Sequence, residues 1–170
     1  MGTIHRLLLV RHAKSSWDQA EVADHDRRLS PRGRRAATVL GEHLGGLAES
    51  PDLVLCSSAL RTIQTLERIR PALPAGTSIE VEEGLYGADA DELLARVRHV
   101  PATVACVLLI GHNPGIAELA VMLAGHGDRA ARAAMAAKFP TAALARLRID
   151  QRWSAVEAGA ATLEEFWTPR

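Results

Sequence analysis

Residues 7–12 read Leu7-Leu8-Leu9-Val10-Arg11-His12, and this stretch decides how the rest of the chain is read. Four consecutive aliphatic residues leave no polar face, so they suit a strand covered on both sides. A cation and an imidazole follow directly. The same order recurs twice. Asp52-Leu53-Val54-Leu55-Cys56 is followed by Ser57 and Ser58, with Arg61 three residues further on. The apolar run Val104 to Ile110 is followed by Gly111 and His112. In an open parallel sheet, ligands bind in the crevice beyond the carboxyl ends of the strands. Three strands therefore aim Arg11, His12, Arg61 and His112 at one crevice.

Working outward, helices fall between these runs. Ser30-Pro31 reads as an N-cap followed by proline at the first helical position. The helix after it gathers Ala37, Leu40, Leu44 and Leu47 on one face and stops near Gly45-Gly46. Residues 59–70 predict a helix with Ile63, Leu66 and Ile69 near one face, and Ile79 to Val81 a short strand. Asp89 and Glu92 flank the start of a helix carrying Leu93, Leu94 and Val97, which ends before Pro101. Asn113-Pro114 opens another, with Ile116, Leu119, Ala120 and Leu123 in register, and an alanine-rich helix covers 128–137. Ala143, Ala145, Leu147 and Ile149 alternate with Leu144, Arg146 and Arg148, which predicts a half-exposed strand near a sheet edge. A last short strand is expected near 162–167. The alternation predicts an α/β fold, a three-layer α-β-α sandwich around a mostly parallel sheet, in one domain over residues 1–170.

Composition narrows the function classes. Lysine plus arginine and aspartate plus glutamate are equal at 20 each, so no broad polyanion-binding surface is expected and any anion site must be a local concentration of cations. The tryptophans form no stacking platform, which argues against nucleic acid. Cys56 and Cys106 each lie within an apolar run and read as buried thiols, not as a zinc-type pair. No stretch approaches the ~20 apolar residues of a membrane span, and the N-terminus lacks the long apolar core of a signal peptide. A soluble cytoplasmic protein is expected. Arg32, Arg34 and Arg35 begin a helix and read either as a solvated face or as an attraction for acidic partners. His5, His25, His43, His99 and His126 read as surface or loop residues.

Arginine forks match phosphate oxygens bidentately, and Arg61 near a helix start adds unpaired N–H groups favouring an anion. A phosphoryl group is the natural occupant. No carboxylate cluster suits magnesium, so neither metal nor other cofactor is expected, and the arginines take over charge neutralisation. A neutral imidazole whose second nitrogen donates to a fixed acceptor can attack phosphorus. The other histidine and the arginines would stabilise the equatorial oxygens.

The blocks LLLVRHAKSSW, DHDRRLSPRGRRAA, DLVLCSSALRTIQT, VEEGLYGADADELL and LLIGHNPGIAELA, in this order, resemble the histidine phosphatase superfamily, whose fold is phosphoglycerate mutase-like, and within it the SixA-type phosphohistidine phosphatases. KFPTAALARL and FWTPR also resemble that branch. The resemblance implies that His12 is phosphorylated during turnover and that Arg11, Arg61 and His112 complete the phosphate pocket. It implies a proton-donor position at Glu83, with Glu82 as neighbour, and a phosphate contact at Ser15. Ala13 stands where the family usually has glycine. Lys14 and Asp18 replace a glutamate and an asparagine of the mutases, which argues against mutase activity. The short segment between the Arg61 helix and the strand near 104 implies a minimal cap and an open groove. Such a groove admits phosphohistidine displayed on a protein, or equally a small phosphorylated metabolite. A non-catalytic phosphate-binding module is a third reading. Oligomeric state is not legible.

Overall fold

In the computed structural model, which describes residues 2–170, five α-helices and seven strands alternate for most of the chain. They are β1 (His5–Arg11), α1 (Pro31–Gly45), β2 (Leu53–Ser57), α2 (Leu60–Ile69), β3 (Ser78–Glu82), α3 (Ala90–Arg98), β4 (Cys106–Gly111), α4 (Gly115–Leu123), β5 (Ala124–Gly127), α5 (Arg129–Ala137), β6 (Leu144–Ile149) and β7 (Ala161–Trp167). The strands form one sheet in the order β3-β2-β4-β1-β6-β7-β5. Four of its six pairings are parallel; those of β6 with β1 and β7 are antiparallel.

Side-chain alternation along the strands divides the core in two. Leu7, Leu9, Leu55, Val107 and Leu109 pack with α3, α4 and α5 on one face. Leu8, Val10, Val54, Cys56, Leu108 and Ile110 pack with α1 and α2 on the other. The sheet is thus the middle of three layers. Both cysteines are buried and free, and burial pushes their thiols up to about 12. No helix is long and apolar enough to cross a membrane among the described residues.

The connections explain where a site can form. β1 and β4 are adjacent and parallel, yet the helix after β1 goes to one face and the helix after β4 to the other. Their departing chains leave a gap at the carboxyl ends of the two strands, the topological switch at which α/β sheets bind ligands.

Two expectations need correction. The strand at 144–149 is not beside an edge, since β6 lies between β1 and β7 and β5 lies beyond β7. On its half-exposed side Arg146 pairs with Glu49 at 3.2 Å and Glu164 at 3.7 Å. The edge on that side is β5, a strand of Ala124-Gly125-His126-Gly127 with no β-forming pattern. His5 is buried, with Nδ1 at 2.8 Å from the Gln151 carbonyl and its ring 4.6 Å from that of Trp153.

The loop after β1 is held against α1 by main-chain contact. Ser15 bridges to Leu29, Ser16 N–H donates to the Arg28 carbonyl, and Ser30 N–H donates to the Lys14 carbonyl. The Ser30 side chain caps α1 by accepting from the Gly33 N–H at 3.0 Å. At Gly33 a β-carbon would lie 2.0 Å from the Lys14 carbonyl oxygen, so only glycine permits this approach. Gly33→Ala gains helix propensity of about 1 kcal/mol, but it forces backbone from backbone. The expected net loss is about 1–3 kcal/mol, a fall in Tm of roughly 3–10 °C at this chain length. Thermal denaturation checks this, and an unchanged Tm would show that the loop is not packed as described.

Candidate active site

The ladder between β1 and β4 ends with Arg11 opposite Gly111, and His12 N–H continues it by donating to the Gly111 carbonyl at 3.0 Å. His12 and His112 therefore emerge side by side, with ring centroids 5.2 Å apart. The short turn from β2 into α2 brings Arg61 to the same place, where its Nε lies 3.4 Å from His12 Nε2. Together with Arg11, Lys14, Ser15, Arg27, Asn113 and Thr141, and with Trp17 at the mouth, they line a cavity of about 240 Å³.

His12 is 7% exposed, and its Nδ1 lies 2.7 Å from the Ala13 carbonyl. A carbonyl only accepts, so Nδ1 carries the proton and Nε2 is the unprotonated nitrogen, which accepts from the Arg61 Nε–H at 3.4 Å. Burial lowers the His12 pKa to about 3, aided by His112, Arg61 and Arg11, while the Ala13 carbonyl pulls the other way. His112 falls to about 4, mainly by burial and then by Arg61, with Asp24 opposing. Both rings are neutral at physiological pH. Ser57 Oγ is 2.8 Å from His112 Nε2, and His112 Nδ1 is buried without a protein partner. If Ser57 donates, His112 keeps an Nδ1–H that a substrate oxygen could satisfy.

The arginines are positioned differently. Arg11 donates to the Phe139 carbonyl at 3.1 Å, and Asn113 Nδ2 donates to the same oxygen at 2.9 Å. Burial and the nearby Arg61 lower the Arg11 pKa. Arg61 is anchored on both sides of its fork, donating to the Asp24 carbonyl at 2.7 Å and to the Asp24 carboxylate at 3.1 Å. The Thr65 hydroxyl accepts from Ala13 N–H at 3.0 Å and donates to the Arg61 carbonyl at 2.7 Å. One side chain thus ties the residue after His12 to the turn that carries Arg61. Ala142, in the left-handed region at φ 61°, donates its N–H to the Arg11 and His12 carbonyls at 3.0 and 3.1 Å.

The residues singled out from sequence fall in two groups. Arg11, His12, Arg61, His112 and Ser15 line one cavity. Ser15 is turned toward Arg27, which donates to its hydroxyl at 2.7 Å. Glu83 is exposed at the start of a 3₁₀ turn and is not among the residues lining the cavity. Asp18 turns outward to Arg28 at 3.2 Å.

The carboxylate beside the site is one that sequence reasoning passed over. Asp24 accepts from the Tyr86 hydroxyl at 2.6 Å and from Arg61 and Arg27 at 3.1 Å each. These contacts, Tyr86 first, hold its pKa down at about 2. Arg27 also stacks on Trp17, with 3.6 Å from guanidinium carbon to ring centroid. The block Asp24-His25-Asp26-Arg27-Arg28 was the available signal, but nothing in it says which of its charges turns inward.

A family model for the histidine phosphatase superfamily, branch 1, matches residues 7–102. An uncharacterized protein of Mycobacterium tuberculosis is 39% identical over 163 residues, which is 95% of this chain and 100% of that protein. An uncharacterized protein of Mycobacterium leprae is 36% identical over 167 residues, again 95% of this chain and 100% of the relative. Among solved structures, a candidate phosphohistidine phosphatase SixA of Nakamurella multipartitia superposes with a TM-score of 0.86 at 32% identity, over 98% of this chain and 96% of that one. The protein histidine phosphatase SixA in complex with tungstate superposes with a TM-score of 0.77 at 26% identity, over 96% and 97% of the two chains. Matched by the family model over more than half its length and by SixA structures from end to end, the chain belongs to the histidine phosphatase superfamily, in its SixA-type branch.

Proposed function

We propose that this phosphatase hydrolyses phosphohistidine on protein substrates, through a covalent phospho-His12 intermediate and without a metal ion. The observation that carries the chemistry is a buried, neutral His12 whose unprotonated Nε2 meets Arg61 Nε at 3.4 Å in a cavity shared with Arg11. In the first step, Nε2 bonds to phosphorus and the bond from phosphorus to the substrate imidazole nitrogen breaks. That nitrogen takes a proton, or leaves as the neutral imidazole if its ring is already protonated. Arg11, Arg61 and His112 neutralise the transferring oxygens. The Ala13 carbonyl accepts from Nδ1–H throughout and favours the positive ring of the intermediate. In the second step water bonds to phosphorus, the bond to Nε2 breaks, and inorganic phosphate leaves with His12 neutral again.

The substrate class is supported by the open approach and by the likeness to SixA proteins. Between α2 and β4 the chain has room only for β3, α3 and short turns, so no inserted domain roofs the cavity. A side chain displayed on a folded protein can reach in. Among the described residues, no carboxylate near the cavity is poised to give up a proton: Asp24 is held ionised at about 2 by Tyr86 and Arg61 and acts by positioning Arg61, and Glu83 does not line the cavity. Imidazole is a better leaving group than an alkoxide, so a phosphohistidine substrate needs a donor less than an ester does.

Phosphate release from a phosphohistidine-bearing carrier protein, measured with EDTA present, tests the reading. His12→Ala is expected to lower it by at least about 10³-fold, the scale of losing a nucleophile that acts as part of a unit. Retained turnover in that variant would refute the covalent route. Ester hydrolysis without any phosphohistidine hydrolysis would replace the substrate class.

Asp24→Asn is expected to lower kcat/KM by about 10- to 100-fold through misplacement of Arg61, for esters and phosphohistidine alike. Glu83→Gln is expected to change neither. The reverse ranking in steady-state rates, with esters most affected, would make Glu83 the proton donor.

The depressed histidines also make stability depend on pH. Their folded values lie at about 3 and about 4, below the ordinary 6.5. The unfolded chain therefore gains protons that the folded chain refuses as pH falls below 6.5, and stability declines through the window down to about 4. Denaturant midpoints across this window should fall, and less so in a His12→Gln/His112→Gln variant. Equal slopes in the two proteins would show that these histidines titrate normally.

A further inference from the structure

Beside the phosphate cavity lies a larger trough of about 610 Å³. It shares Arg11, Lys14 and Thr141 with the cavity and continues along the outer face of α1 past Arg32 and Arg35, with Lys138 on the opposite bank. With Arg170, six cations therefore face one space, and no aspartate or glutamate side chain lines it among the described residues. Overall charge is balanced at 20 against 20, so this is a segregation of charge and not a reflection of composition.

The cations are also unspent. None of the six takes part in any of the twelve ion pairs formed among the described residues. Lys14, Arg32, Arg35 and Lys138 are exposed. Elsewhere Arg6, Arg96 and Arg146 each meet two carboxylates. Like charges left together without counter-charges repel, and a concave wall focuses their field on whatever enters.

The dimensions favour a broad anion. One phosphoryl group fits the cavity of about 240 Å³, whereas the trough is more than twice as large. On the other side of Arg11 the groove between α4 and α5 is walled by Ala117, Val121, Met122, Met135 and Phe139, which offers carboxylates little. A substrate seated by its phosphoryl group would meet a basic wall on one flank and an apolar wall on the other.

We propose that this trough is a second recognition site, taking carboxylate side chains on one flank of the phosphorylated histidine of a protein substrate. It deepens the phosphohistidine reading and rests on it for the identity of the substrate. Arg32 and Arg35 act by attraction and positioning and do not touch the phosphoryl group. Their effect falls on KM and on the salt dependence of kcat/KM, and kcat stays unchanged.

The test uses synthetic peptides carrying one phosphohistidine, with acidic, alanine or lysine flanks on either side, and compares wild type with R32E/R35E. Both arginines are exposed and without ion pairs, so the variant should fold; its Tm and its turnover of para-nitrophenyl phosphate monitor this. Wild type is expected to prefer an acidic flank over alanine by about tenfold at low salt, within the range of electrostatic steering, and to lose the preference at high salt. R32E/R35E is expected to lose it at low salt while handling the alanine-flanked peptide normally. Equal rates for acidic and alanine flanks in wild type, or a preference that survives in the variant, would overturn the proposal. So would a stronger, Arg32- and Arg35-dependent preference for a small sugar bearing two phosphates.

A second arm does not depend on phosphohistidine. Polyglutamate should inhibit para-nitrophenyl phosphate hydrolysis by wild type and not by R32E/R35E. If no phosphohistidine peptide is hydrolysed while the ester is, the substrate reading fails, and this arm alone decides the trough. Inhibition of wild type only would uphold a carboxylate site, and equal inhibition or none would reject it.

Discussion

The pairing of β1 with β4 is the constraint on which the rest of the site depends. The ladder runs from Arg6 opposite Cys106 to Arg11 opposite Gly111, then one bond further through His12 N–H. Each strand is buried on both faces, so a slip of one residue would turn every side chain to the wrong layer. Burial thus enforces register, and register sets the two histidines next to each other. Because the chains leaving these strands go to opposite faces, no helix fills the gap above them. The aliphatic run that buries β1 on both faces is also what delivers His12 to a fixed address.

Around that address the protein separates two electrostatic tasks. Desolvation keeps His12 and His112 uncharged, while the arginines hold the positive charge in side chains that cannot lose it. Arg61 would swing toward any anion if it were free, and Asp24 holds it by backbone and side chain together. Tyr86 holds Asp24 in turn at 2.6 Å. The pocket therefore already carries the orientation that phosphoryl transfer requires, and the chemistry demands little rearrangement.

Legibility in sequence followed the strength of the local signal. The buried strands β1, β2 and β4 are unbroken aliphatic runs, and the polar residues at their ends converge as their positions imply. Ser30-Pro31 marked the start of α1, where the serine does cap the helix. By contrast, β5 has two glycines and no apolar pattern; it is a strand only because β7 offers it an edge, and at Gly125 a β-carbon would lie 2.0 Å from the Gly159 carbonyl oxygen. The pairing of Arg146 was illegible because its countercharges, Glu49 and Glu164, are remote in sequence. Asp24 was illegible for the same kind of reason. Its contact with Arg61 depends on a loop folded back by main-chain bonds, which have no residue-type signature.

The hydrogen bond from His12 Nδ1 to the Ala13 carbonyl has a consequence for how the site can vary. In many enzymes the partner that fixes a histidine tautomer is a carboxylate, and one substitution removes it. Here the acceptor is a peptide oxygen, which every residue carries. The tautomer lock is therefore out of reach of point mutation by side-chain identity alone. What must persist at position 13 is a small volume in a fully buried place, not a functional group. That explains how alanine can stand there in place of glycine, and it leaves the orientation of the nucleophile as a property inherited from the main chain.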